Sequence, residues 1–108
     1  MSLRLPAPIE HYVRIANSGA LETVPECFAP DAIVRDEGQT YEGVAAIKSW
    51  MAATKKKYRH TITPLELTER DDQSVLEAQL AGSFPGSPIT VSFSFVLAGD
   101  KIRSLEIR

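Results

Sequence analysis

With 108 residues the chain has room for one domain built around one core. Hydrophobic residues make up 44% and charged residues 24%, ordinary for a soluble globular protein, and a formal net charge of −2 argues against a general nucleic-acid binder. Cys27 is the only cysteine, which excludes an internal disulfide and a CxxC metal site. The first residues lack the long apolar run of a signal peptide and no segment is long enough to span a bilayer, so a cytoplasmic location is the expectation, with no membrane partner.

The first half reads helical. Ile9, Tyr12, Val13 and Ala16 recur on one face of an amphipathic helix that Asn17-Ser18-Gly19 ends. A second, shorter helix is expected to carry Leu21, Val24 and Phe28 on one side, with Pro25 in its first turn and Pro30 closing it. Ile33 to Asp36 reads as a short strand, and Asp36-Glu37-Gly38-Gln39 as a turn leading into Thr40-Tyr41. Gly43 opens a third helix with Val44, Ile47, Met51 and Thr54 in register and Trp50 beside them. Lys55, Lys56 and Lys57 follow at its end, where solvated positive charge complements the helix dipole.

From His60 onward the period switches to two. Thr61 to Arg70 is a strand in which Pro64 calls for an edge or a bulge. Ser74 to Phe84 is the next strand, followed by the turn Pro85-Gly86-Ser87-Pro88. Ile89, Val91, Phe93, Phe95 and Leu97 then alternate with Thr90, Ser92, Ser94 and Val96, the clearest half-buried strand in the chain. Gly99-Asp100 turns again, and Lys101 to Ile107 completes a meander. Helices first and antiparallel strands after give an α+β class within a single domain, 1–108.

Three stretches carry a family resemblance: His11 to Leu21, Phe28-Ala-Pro-Asp-Ala-Ile-Val-Arg-Asp36, and Gly43 to Trp50. Together, in this order and spacing, they resemble the NTF2-like superfamily, which includes the ketosteroid isomerases and the SnoaL-like polyketide cyclases. The resemblance implies a cone: three N-terminal helices packed on a strongly curved, mixed but largely antiparallel sheet, with an apolar pocket between them. It also implies a homodimer through the outer sheet face, for which Glu77, Gln79, Thr90, Ser92 and Ser94 are the candidates.

In the isomerases a carboxylate moves a proton beside a ketone, while a phenol and a protonated acid hydrogen-bond the developing enolate oxygen. By resemblance Asp36 falls on the base and Tyr12 on the phenol. The second acid falls near Phe93, which cannot donate, and neither can Val91 or Phe95. Met51 stands where some isomerases carry another tyrosine. Losing one such donor costs on the order of 10² to 10³ in rate, which argues against efficient steroid isomerisation.

Each residue also has a plainer reading. Asp36 can simply open a β-turn, and Tyr12 can be a buried tyrosine on an apolar helix face. Trp50, Phe28, Met51, Phe93 and Phe95 are expected as core and pocket wall. His60, which titrates near neutrality, is a candidate ligand contact. No paired carboxylate or histidine spacing suggests a metal, and no cofactor is expected. Two functions stay open: a small hydrophobic molecule undergoing cofactor-free acid–base chemistry beside a carbonyl, or a non-catalytic carrier or dimerisation module.

Overall fold

The computed structural model describes residues 3–108. Its first helix, α1 (Ala7–Ser18), starts where Pro8 needs no partner for a missing N–H, and ends at Gly19. Gly19 adopts φ 81°, and its N–H closes on the Ile15 carbonyl at 2.7 Å, a left-handed cap that glycine adopts without steric cost.

The expected second helix is cut short. A 3-10 turn over Leu21–Thr23 runs into a single α-turn, α2 (Val24–Cys27). Phe28 is already extended and begins the first strand, β1 (Phe28–Asp36). Pro30 accounts for the early break: it disfavours helical backbone at Ala29 and offers no N–H. Pairing along β1 is irregular between Phe28 and Ile33, where the proline sits.

Strand β2 (Gln39–Glu42) pairs back on β1, and Gly43 precedes α3 (Val44–Tyr58). Strands β3 (Thr61–Arg70), β4 (Gln73–Ala81), β5 (Ile89–Ala98) and β6 (Lys101–Ile107) complete the chain. The sheet order is β2-β1-β6-β5-β4-β3, with β1 and β6 parallel and every other pair antiparallel. This is the α+β, NTF2-like cone: three helices lie against a six-stranded mixed sheet that does not close.

Strand β3 is an edge, and its register shifts between Pro64 and Glu66, so Pro64 marks both an edge and a bulge. On the unpaired side of that edge Asn17, at the end of α1, takes both backbone groups of Ile62. Its Oδ1 accepts from the Ile62 N–H at 2.7 Å, and its Nδ2 donates to the Ile62 carbonyl at 3.0 Å.

Strand β4 ends at Ala81, three residues before the expected Phe84, because residues 82–88 fold inward onto α3. A Cβ on Gly82 would stand 2.5 Å from the Tyr58 carbonyl oxygen and 2.9 Å from His60 Cα, so only glycine allows this approach. The Ser83 N–H then bonds the Tyr58 carbonyl at 2.7 Å, and Phe84 packs edge-on against the Tyr58 ring. The lysine run is not uniformly solvated either. Lys55 turns back, its ammonium donating to the His60 carbonyl at 2.6 Å and the Asn17 carbonyl at 3.3 Å.

On β5, Val91, Phe93 and Phe95 are buried while Ser92 and Ser94 alternate toward the other face, as the period of two predicts. Ser92 donates across to Glu77 on β4. Among the described residues no helix is long and apolar enough to cross a membrane.

Candidate functional site

Tyr12 projects from α1 onto the inner face of the sheet. Phe28, Phe93 and Phe95 surround its ring at centroid separations of 6.0, 6.1 and 5.6 Å, two of them edge-on. Such geometry adds to area burial by aligning the positive edge of one ring with the negative face of the next. Above this aromatic floor, between α1, α3 and the sheet, lies a cavity of about 810 Å³. That falls within the range of small-molecule sites, and its lining is mostly apolar.

Tyr12, Asp36, Trp50, Met51, Phe93 and His60 all line the cavity. Phe28 and Phe95 do not. Both were expected on the pocket wall, but they are fully buried behind Tyr12, as core. The short α2 causes this for Phe28, since it moves that residue from a helix into the base of β1. The wall contains parts that periodicity did not single out: Leu80 on β4 and Phe84 and Pro85 on the inward loop. The Pro85-Gly86-Ser87-Pro88 signature marks that loop as a turn, but nothing local says that it folds toward α3.

Asp36 sits at the end of β1, where Glu37 and Gly38 form a two-residue turn with φ values of 52° and 75°. Positive φ at both positions is what lets a tight hairpin match the twist of its strands. Asp36 therefore opens a turn and lines the cavity at once; the two readings of this residue are compatible. Its Oδ2 accepts a hydrogen bond from Trp50 Nε1 at 3.1 Å, which fixes the carboxyl group and leaves Oδ1 without that partner. Burial raises its pKa above the ordinary carboxylate value and the Trp50 bond opposes that rise; the charge of Glu37 adds to it, while the Glu37 backbone N–H works against it. On the rim, the Tyr58 hydroxyl donates to Glu37 Oε1 at 2.9 Å, joining the β1–β2 turn to the end of α3.

Tyr12 is 3% exposed, and burial first, then the Asp36 and Cys27 charges, push its pKa well above the ordinary phenol value. The phenol stays protonated and can only be a donor or a neutral acceptor. No hydrogen bond to it is formed within the described residues, and its oxygen is not an enclosed, unpartnered atom. The hydroxyl is left for the cavity. Phe93, next to it, offers no second donor. Among the described residues no cluster of three or more His, Cys, Asp or Glu could hold a metal ion.

A profile of the SnoaL-like domain matches residues 9–104. The chain belongs to the SnoaL-like domain family. Among solved structures it is similar to a protein from Sinorhizobium meliloti assigned as a polyketide cyclase, with 38% identity and a TM-score of 0.92 over 96% of this chain and 95% of that one. It also resembles a ketosteroid isomerase-like fold from Catenulispora acidiphila, crystallised with trimethylamine, at 20% identity and a TM-score of 0.84, covering 97% and 86% of the two chains. A SnoaL-like polyketide cyclase assignment from Jannaschia gives 19% identity and a TM-score of 0.75, covering 100% and 90%. The last two speak to the fold alone. None of the curated proteins matches the chain.

Proposed function

We propose that this SnoaL-like domain binds a small, largely apolar carbonyl compound and moves a proton at the carbon beside the carbonyl. The observation that carries this reading is the convergence of Asp36 and Tyr12 on one apolar cavity of about 810 Å³. Asp36, more basic than an ordinary carboxylate and held through one oxygen by Trp50, takes the proton with the other. Tyr12, kept protonated by burial, donates to the oxygen on which negative charge develops. The resulting enolate either takes the proton back from Asp36 at another carbon, shifting a double bond, or attacks a second carbonyl and closes a ring, the alkoxide left by the broken C=O π bond then taking the proton from Asp36. The ring-closing branch is in keeping with the cyclase assignment of the Sinorhizobium relative.

One observation favours a second reading, a carrier without turnover: Phe93 stands beside Tyr12 and leaves the phenol as a lone donor. Turnover of a simple β,γ-unsaturated ketone separates the two. The catalytic reading expects wild type to shift the double bond and Asp36→Asn to lose at least a hundredfold in rate. Equal rates in the two proteins remove Asp36 as the base, while binding without turnover in wild type leaves the carrier.

A further inference from the structure

The inward loop that walls the cavity and the turn that carries Asp36 meet on one residue, Tyr58. At the last position of α3, Tyr58 holds the loop twice. Its carbonyl accepts the Ser83 N–H at 2.7 Å, and its ring packs edge-on against Phe84 with centroids 5.8 Å apart. Its hydroxyl donates to Glu37 Oε1 at 2.9 Å. Glu37 directly follows Asp36, so α3 grips one turn at two points: Trp50 on the Asp36 carboxylate and Tyr58 on its neighbour.

This turn lies at the margin of the molecule. β2, which follows it, is an edge strand of four residues, and Glu37 is exposed. Glu37 also holds φ 52°, a left-handed conformation that a residue with a Cβ adopts rarely. Glu37 and Tyr58 line both the cavity and a second hollow of about 410 Å³. Open space on both sides leaves the Glu37 side chain little packing to fix it, and the Tyr58 hydroxyl is its one side-chain hydrogen-bond partner among the described residues. Catalysis by a carboxylate depends on its placement, and small displacements are costly.

We infer that Tyr58 is a positioning residue for Asp36: acting through Glu37, it ties the turn that carries the carboxylate to the loop that walls the cavity, and so sets where the base stands against the ligand. This rests on the proton-transfer reading of the cavity.

Tyr58→Phe tests it, since phenylalanine keeps the ring against Phe84 and the carbonyl for Ser83 and removes only the donor to Glu37. Two readouts apply: turnover of a β,γ-unsaturated ketone, and exchange of the Trp50 indole proton with water by NMR, a single resonance because Trp50 is the only tryptophan. Tyr58→Phe is expected to lower kcat about tenfold with KM little changed. The indole proton, which reports the grip on Asp36, should exchange about threefold faster, the effect of one exposed hydrogen bond. Glu37→Ala reproduces both changes, and Glu37→Gln, which still accepts from Tyr58, recovers most of them. Both variants lose the Glu37 charge, so the difference between them isolates the hydrogen bond. Tyr58→Phe combined with Glu37→Ala should cost no more than either alone. Unchanged indole exchange in Tyr58→Phe overturns the inference, and so does faster exchange with an unchanged kcat. If wild type turns over no ketone, the proton-transfer reading falls by that result alone. The indole exchange, which needs no substrate, then still upholds or overturns the tie between Tyr58 and Asp36.

Discussion

The floor of the cavity and its rim are built by different physics. On the floor, Tyr12, Phe28, Phe93 and Phe95 meet ring to ring, and what holds them is packing and removal from water. On the rim, Asp36 is tied to the buried Trp50, and Glu37 to Tyr58 by an exposed hydrogen bond, and residues 82–88 are folded in against α3. The floor should therefore govern stability and the rim govern chemistry. Tyr12 belongs to both, since its ring is floor and its hydroxyl is rim.

Substitutions can break this division or sharpen it. Phe95→Ala removes a fully buried ring behind Tyr12 and is expected to cost about 3–5 kcal/mol by urea denaturation, as large-to-small core changes do. A loss under 1 kcal/mol would show that the floor is not the stabilising region. Gly82→Ala forces a methyl group against backbone atoms of Tyr58 and His60, and about 1–3 kcal/mol should be lost. Chymotryptic nicking at Phe84 should rise in parallel; an unchanged cleavage rate would mean that the loop does not depend on this approach.

Trp50→Phe keeps most of the wall but deletes the donor to Asp36, for about 0.5–1.5 kcal/mol. Because that bond holds the Asp36 pKa down, the carboxyl should titrate higher in this variant by NMR. A downward move would contradict the geometry.

The smallest effect separates site from scaffold. Burial raises the Asp36 pKa above its ordinary 3.8, so folding favours the protonated form, and ionisation at neutral pH lowers stability. Asp36→Asn, still able to accept from Trp50, should melt at a slightly higher temperature than wild type at pH 7. That advantage should shrink as the pH falls through the folded pKa and vanish below about 3.8. His60 runs the opposite way in pH. Its lowered pKa means that stability is full above 6.5 and declines as the pH falls through the folded value, a decline that His60→Phe abolishes. Matching melting curves for wild type and His60→Phe from pH 7.5 to 5 would show that the ring is not held neutral by the fold.

Much of the fold is legible along the chain because it rests on local periodicity. The alternation from Ile89 to Leu97, the Gly19 cap and Pro64 at an edge bulge each follow from residues a few positions apart. The site was legible only in part. Tyr12 and Asp36 stand out by resemblance, but an apolar residue facing a void reads the same as one facing another side chain. Phe28 and Phe93 look alike in sequence, yet one is core and the other wall. Gly82 and Phe84 escape notice because their role depends on α3, more than twenty residues earlier in the chain, coming within contact distance.

Asn17 has a consequence beyond α1. By occupying the outward N–H and carbonyl of Ile62, its amide stands in for a strand that would otherwise find a free edge there. Two residues on, Pro64 has no N–H to offer, and the bulge after it bends the rest of β3 out of line. Together they deny a second molecule the unbroken ladder from which sheet-to-sheet aggregation grows, next to the exposed side chain of Leu65. Asn17→Ala should accordingly shorten the lag before aggregation under mild destabilisation, measured by light scattering. An unchanged lag would place that protection in Pro64 alone.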